Sequence, residues 1–226
     1  MVDQQLDKWQ RWCEEFIKPD VIRMHMRRSM WRSVQDMLSE NDTLPTSHWW
    51  DFMSHTYSTT QALAIRRQAD TNEQAASLGR LLSEVEINAH RIGAEWWVGL
   101  WPDHDERLLI EARRWWRDGW GGSVGDHLDP AIPAGFLQQL TDAAEHVKHY
   151  VDWHVAHLDR RAGRTAVTLT LGDLHDAIDV IGTVFQRVFN LLTASSMIQL
   201  EPVVQYNWMA VFEQPWRNAD ANPLSA

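Results

Sequence analysis

The sequence predicts an all-α protein, a single-domain helical bundle that occupies residues 1–226. Apolar residues recur at spacings of three and four along most of the chain, which is typical of amphipathic helices. Proline, glycine and capping residues interrupt this periodicity at intervals that fit helices of ordinary length. Because no alternating strand pattern recurs and no repeat or linker divides the chain, one bundle with additional helices is the expected architecture.

The N-terminal half predicts four helices. The first, over 6–17, carries an apolar stripe and ends near Pro19, and the second covers 20–39. A third begins at Pro45 and Thr46 and ends near residue 70. Ser77 is placed to cap a fourth helix through residue 86, because its hydroxyl can accept a bond from the first turn.

The C-terminal half predicts three more helices. One covers 103–118 and is followed by a glycine-rich segment, 119–125, that we interpret as a flexible connector. A long helix covers 133–161. Thr170 and Asp173 have the spacing of a capping box for the last helix, which ends near residue 195. The segment 203–226 is expected to form a short helix or a packing arm.

Charge and cysteine content narrow the functional classes. The formal net charge is −10 and the pI is near 5.5, which disfavours general adsorption to nucleic acid or anionic membranes. Arg23, Arg27, Arg28 and Arg32 follow helical spacing and are expected to form a solvated face. A lone cysteine, Cys13, excludes an intramolecular disulfide and a multi-cysteine zinc site. With no apolar signal core or membrane-length run, a cytoplasmic location is expected.

Fourteen tryptophans are an unusual number for a chain of 226 residues. Three adjacent pairs occur at 49–50, 96–97 and 115–116, and two neighbouring side chains cannot lie on the same face of a helix. We expect these rings to fill the helical core and a subunit interface. Stacking of bases or sugars on them is the alternative interpretation.

The segment 146–159 concentrates polar chemistry on one predicted helix. Its candidate residues are four histidines, one tyrosine and two aspartates, namely His146, His149, Tyr150, Asp152, His154, His157 and Asp159. His146, Tyr150 and His157 share one helical face. A histidine can exchange a proton near neutral pH while a carboxylate holds its tautomer, as a hydrolase or ribonuclease needs. The same residues could equally cap helix–helix contacts.

Metal binding is a second interpretation of this segment. His146 and His149, or His154 and His157, are three residues apart, which can place two imidazoles on one ion. The candidate set is His146, His149 and His157, and a third element would still have to supply a ligand. Because the sequence does not identify that third ligand, no metal or other cofactor is expected.

Two stretches resemble the HEPN superfamily of all-helical nucleic-acid-processing and defence proteins, and within it the abortive-infection type. The first comprises Ala-Ile-Arg-Arg-Gln-Ala-Asp at 64–70 and the "SL-x-x-LL" pattern at 77–82. The second is Tyr-Val-Asp-Trp-His-Val-Ala-His-Leu-Asp at 150–159, which is similar to the family's "R-D-x-x-x-A-H-x-D" segment. The order of the helices also fits, so the likeness covers most of the chain.

The resemblance implies a metal-independent ribonuclease that acts as a homodimer on RNA. In active members an arginine, a polar residue and a histidine come together from two subunits. Here His157 would be the general acid and base, Asp152 the polar residue that orients it, and Tyr150 or His154 an assistant. Val151 stands where the arginine is expected. The candidate substitutes that could contact RNA phosphate are Arg160, Arg161, Arg164, Arg66 and Arg67.

Two alternatives remain open. A catalytically degenerate HEPN module would bind a partner protein or a nucleotide, with His157 and Asp152 as structural residues. A metal-dependent hydrolase would use the 146–157 face. Arg66 and Arg67, with Asp70, could also be an ion-paired helix end, where the helix dipole favours cations.

Overall fold

The computed structural model describes residues 3–41, 47–101, 105–122, 125–152, 169–203 and 205–213. Within these ranges the chain is helical and forms no strand, only an isolated antiparallel bridge between Gly93 and His127. The all-α prediction is therefore confirmed. None of the described helices is long and apolar enough to cross a membrane.

The α-helices are α1 (Gln4–Arg11), α2 (Lys18–Ser39), α3 (His48–Gln68), α4 (Leu78–Ile87), α5 (Ala94–Val98), α6 (Glu106–Trp116), α7 (Ala131–Tyr150) and α8 (Leu171–Thr193). Two π-helical segments, Trp12–Ile17 and Arg117–Gly121, extend α1 and α6, and 3-10 turns cover Ala89–Arg91 and Trp208–Glu213.

The predicted break at Pro19 is wrong, because α1, the π-helical segment and α2 follow one another without interruption from Gln4 to Ser39. Proline lacks the N–H that an α-helix needs inside a turn. The preceding π-helical turn accommodates this loss: the Lys18 N–H donates to the carbonyl of Cys13, five residues back. Pro19 then lies in the first turn of α2, where its missing donor costs little.

Two predicted helix starts are confirmed by their caps. The Ser77 hydroxyl accepts a hydrogen bond from the Arg80 N–H at the start of α4. Thr170 and Asp173 form the predicted capping box at the start of α8. Helix α7 begins at Ala131, two residues before the predicted start at 133, and its predicted end at 161 lies outside the described residues.

The glycine-rich connector is shorter than predicted. Residues 117–121 continue α6 as a π-helical turn, and the sharp change of direction comes at Gly122 and Gly125, both with positive φ. The Trp116 indole N–H donates to the Gly125 carbonyl at 2.9 Å. This bond closes the turn against the core.

Helix α8 lies at the centre of the bundle and packs against α2, α3 and α7, while α7 also packs against α3 and α4. The adjacent tryptophan pairs divide between core and surface, as helical geometry requires. Trp97 and Trp116 are 2% and 1% exposed, whereas Trp49 and Trp115 are 45% and 46% exposed. The core-filling interpretation is correct for one ring of the second and third pairs.

Candidate functional site

An arginine and an aspartate meet where the last turn of α3 lies beside the end of α7. The Arg66 Nε donates to the Asp152 Oδ1 at 2.6 Å, and both side chains are more than a third exposed. The neighbouring residues Ile65 and Val151 are completely buried, so core packing holds both backbones in place. The pair is therefore a fixed, solvent-facing arrangement of opposite charges.

The geometry of this pair leaves donors for a ligand. Within the described ranges, the guanidinium of Arg66 contacts no acceptor besides Asp152. An arginine presents five N–H donors in a planar fork, of which the Nε–H is one. The terminal nitrogens of Arg66 can thus donate hydrogen bonds to an anionic oxygen, while the bond to Asp152 fixes the orientation of the guanidinium plane.

Arg67 has a different environment, although it was predicted beside Arg66 as a phosphate contact. It donates to both carboxylate oxygens of Asp20 at distances of 2.7–3.0 Å, and Gln68 donates to the same carboxylate at 2.7 Å. Burial alone would raise the pKa of Asp20, but the hydrogen bonds from Arg67 and Gln68 outweigh it and lower the pKa. The geometry favours the ion-paired helix end for Arg67.

The same cluster explains the two short motifs that end α3 and begin α4. The Gln68 Oε1 accepts from the Leu78 N–H at 3.1 Å, and the Ser77 hydroxyl donates to the Asp70 carbonyl. A side chain at Gly79 would bring its Cβ within 3.0 Å of the Ala69 carbonyl oxygen. These motifs hold α3, α4 and α2 together and so position Arg66.

The histidine segment is only partly described. His146 is exposed and lies 3.7 Å from the carboxylate of Asp173, whose pKa is lowered chiefly by hydrogen bonds from Thr170. His149 is exposed and Tyr150 is half-buried. The remaining predicted residues, His154, His157, Asp159, Arg160, Arg161 and Arg164, lie outside the described residues.

Metal binding receives no support from the described part of the chain. There, no three His, Cys, Asp or Glu side chains are close enough to share an ion. His157, the third member of the predicted set, lies outside the described residues, so His146 and His149 stand without a described third ligand.

A second polar cluster, which the sequence did not predict, links α2, α3 and α8. Arg28 is buried, and it donates to Asp179 at 2.6 Å, to the His175 carbonyl at 3.3 Å and to the His25 Nδ1 at 3.1 Å. The His175 Nε2 shares a 2.9 Å hydrogen bond with the Tyr57 hydroxyl. The expectation of a solvated arginine face on α2 is therefore wrong for Arg28.

The protonation of this cluster follows from its burial. Burial, followed by the charge of Arg28, lowers the pKa of His25 to about 4, and burial also lowers the pKa of His175. A guanidinium only donates, so the Nδ1 of His25 accepts and its proton lies on Nε2. The adjacent cavity is lined by the carboxylates of Asp179 and Glu201, which would repel a phosphate. We interpret this cluster as structural.

Comparison with known proteins places the chain in a family. No curated protein and no solved structure matches it. The family model HEPN_AbiU2, described as AbiU2, matches residues 6–206 and so covers the helices that carry Arg66 and Asp152. The chain belongs to the AbiU2 family of HEPN-type abortive-infection proteins.

Proposed function

We propose that the protein is a metal-independent endoribonuclease in which Arg66 replaces the missing motif arginine. The observation that carries this proposal is the 2.6 Å contact between Arg66 and Asp152. This contact places a guanidinium beside Asp152, the polar residue of the motif, although position 151, where the motif arginine is expected, holds a valine. Membership of an abortive-infection family supports a role for this activity in phage defence.

The chemistry divides between three side chains. His157, five residues after Asp152 in the sequence, takes the proton of the 2′-hydroxyl as that oxygen attacks phosphorus. The bond from phosphorus to the 5′-oxygen breaks, and a protonated acid, such as His157 of a second subunit, returns a proton to the leaving oxygen. Arg66 stabilises the negative charge that develops on the phosphoryl oxygens. Asp152 fixes the guanidinium and limits the local excess of positive charge.

The surface around Arg66 supports a homodimer. Trp49, Phe52 and Leu63 on α3 are all exposed by more than two fifths. At about 100° per residue, these three side chains and Arg66 fall within roughly 100° of one another around the helix axis. An apolar face of this kind favours association with a second copy. Arg66 would then lie beside the subunit interface, where the family's composite sites form.

The direct test is cleavage of total RNA in excess EDTA by the wild type, Arg66→Ala, Arg66→Lys and His157→Ala. Arg113→Ala is the matched control, because Arg113 also forms an exposed pair, with Glu95 at 3.1 Å. We expect Arg66→Ala and His157→Ala to lose activity by roughly 100-fold or more. Arg66→Lys should restore only part of it, since lysine lacks the planar fork.

The same assay separates the competing functions. Cleavage that survives in Arg66→Ala would refute the role of Arg66, and cleavage abolished by EDTA would instead indicate the metal-dependent hydrolase. A folded wild type that cuts nothing, either with EDTA or without it, would favour the degenerate binding module. The net charge of −10 specifically supports that second candidate, since most of the surface repels RNA.

A further inference from the structure

Four tryptophans converge on one cavity at the end of the bundle where α8 terminates. Trp97, Trp101, Trp115 and Trp120, which we call the tryptophan pocket, line a cavity of about 340 Å³. The rings of Trp101 and Trp115 lie 5.2 Å apart at 37°, and those of Trp97 and Trp101 lie 5.7 Å apart at 67°. The rings of Trp97, Trp101 and Trp115 therefore contact one another in series beside the cavity.

The walls of the pocket are held by the core. Trp97 and Trp120 are 2% and 3% exposed, and the Trp97 indole N–H donates to the Asn190 carbonyl of α8 at 3.3 Å. Trp115 forms the outer wall, since its neighbour in sequence takes the core position. The indole nitrogen of Trp101 is itself buried, so this side chain offers the cavity its ring and not its N–H group.

The charge around the pocket selects against cations. The Arg187 guanidinium lies 4.9 Å from the centroid of the Trp120 ring and lines the cavity. Among the described residues, no acidic side chain lines this cavity and none forms an ion pair with Arg187. A positive charge with no carboxylate partner among the described residues, beside tilted and edge-on aromatic rings, is suited to an aromatic ligand that carries an anionic group.

We propose that the tryptophan pocket binds a small planar aromatic anion of mononucleotide size. The ring would stack on Trp101 and Trp115, the indoles of the pocket that are partly exposed, and the anionic group would contact Arg187. The volume lies at the lower end of the range for small-ligand pockets, which suits one nucleotide unit and not a longer segment.

The residues that line the tryptophan pocket are different from the Arg66 and Asp152 of the proposed ribonuclease site. Asp173, which faces His146 near the end of α7, is 14 residues from Arg187 along α8. At 1.5 Å per residue this is a separation of about 20 Å. Loss of RNA cleavage would therefore leave ligand binding at the tryptophan pocket unaffected.

The test is calorimetric titration of the full chain with adenosine 5′-monophosphate and uridine 5′-monophosphate. Ribose 5-phosphate, which lacks the base, and phenyltrimethylammonium, which carries the opposite charge, are the comparison ligands. We expect both mononucleotides to bind more tightly than either comparison ligand. The ligand could be a free mononucleotide or the 5′ end of an RNA, and a 5′-phosphorylated tetraribonucleotide distinguishes them. If it binds as tightly as the mononucleotides, an RNA end is supported as the ligand, and if it binds more weakly, a free nucleotide is supported.

Two variants remove the pocket by different means. A Cβ added at Gly119 meets nothing within 4 Å, so Gly119→Leu should fill the cavity without disturbing the core. Trp115→Ala removes the outer wall, and Trp49→Ala is its control, because Trp49 is equally exposed on α3. Both pocket variants should weaken mononucleotide binding roughly tenfold or more, and the control should not.

The proposal would be overturned if neither mononucleotide bound measurably, if ribose 5-phosphate bound as tightly, or if phenyltrimethylammonium bound more tightly. It would also be overturned if Trp115→Ala and Trp49→Ala weakened mononucleotide binding equally. Because Trp115 is nearly half exposed, its replacement leaves the core intact and keeps the test valid if Gly119→Leu fails to fold.

Discussion

The contact between α2 and α8 at Gly182 supports a quantitative prediction. An alanine Cβ at this position would lie 2.6 Å from the His25 Nε2 and 2.8 Å from the Leu200 Cδ1. Leu200 can rotate away, but the His25 ring is held by its 3.1 Å hydrogen bond to Arg28. Gly182→Ala must therefore displace a buried histidine or separate the two helices.

The magnitude follows from a comparison with Gly135, a second helical glycine, where an added Cβ meets nothing within 4 Å. Replacing an interior helical glycine by alanine stabilises a helix by about 1 kcal/mol. Overpacking a well-filled contact costs about 1–3 kcal/mol. Since both substitutions share the first effect, Gly182→Ala should be less stable than Gly135→Ala by about 1–3 kcal/mol.

Thermal unfolding followed by far-ultraviolet circular dichroism measures this difference. For a domain of this size, 1 kcal/mol shifts Tm by about 2–4 °C, so the two variants should differ by about 2–12 °C. A Gly182→Ala variant that melts within about 1 °C of Gly135→Ala would refute the described packing of His25 against α8. Urea midpoints provide an independent measurement of the same difference.

Three further predictions concern buried or capping groups. Asp20→Ala should lower the unfolding free energy by about 1–3 kcal/mol, because it leaves the buried Gln68 amide without its acceptor. Because the pKa of Asp20 is lowered in the folded protein, its carboxylate stabilises the fold above its unfolded pKa of about 3.9, and this stabilisation is lost as the pH falls through the folded pKa. Asp20→Asn should therefore reduce the dependence of the unfolding free energy on pH in the acid range. Burial raises the pKa of Cys13 to about 12, so iodoacetamide at pH 8 should label the unfolded protein and spare the native one; rapid native labelling would contradict this. Thr170→Ala should cost about 1 kcal/mol in urea unfolding and Thr170→Ser much less, since serine keeps the cap.

Local signals predicted most of the helices. Ser77, Thr170 and Asp173 lie within three residues of the N–H groups or side chains that they bind, so their roles can be read from spacing. Pro19 misled the prediction because a π-helical turn, formed from residues with no distinctive sequence pattern, allows the helix to continue through it. The short helix α5 was missed since five residues carry too little periodicity.

The site was less predictable because its contacts are distant in sequence. Arg66 and Asp152 are 86 residues apart, and Arg28 and Asp179 are 151 apart. The family resemblance made Arg66 and Arg67 equivalent candidates for phosphate contacts, yet only Arg67 pairs with Asp20 on α2. Successive residues on a helix differ by about 100° in direction, so neighbours in sequence meet different partners.

The burial of Val151 bears on the proposed role of Arg66. Residue 151 is completely buried in the core, and a guanidinium there would lose its hydration without a described acid to compensate. One residue later, Asp152 faces solvent and accepts from Arg66. In this chain valine preserves the packing of α7. The arginine that contacts Asp152 belongs to α3, and its own neighbour, Ile65, is equally buried. Val151→Arg should therefore destabilise the fold, and under the proposed ribonuclease function it should not increase RNA cleavage.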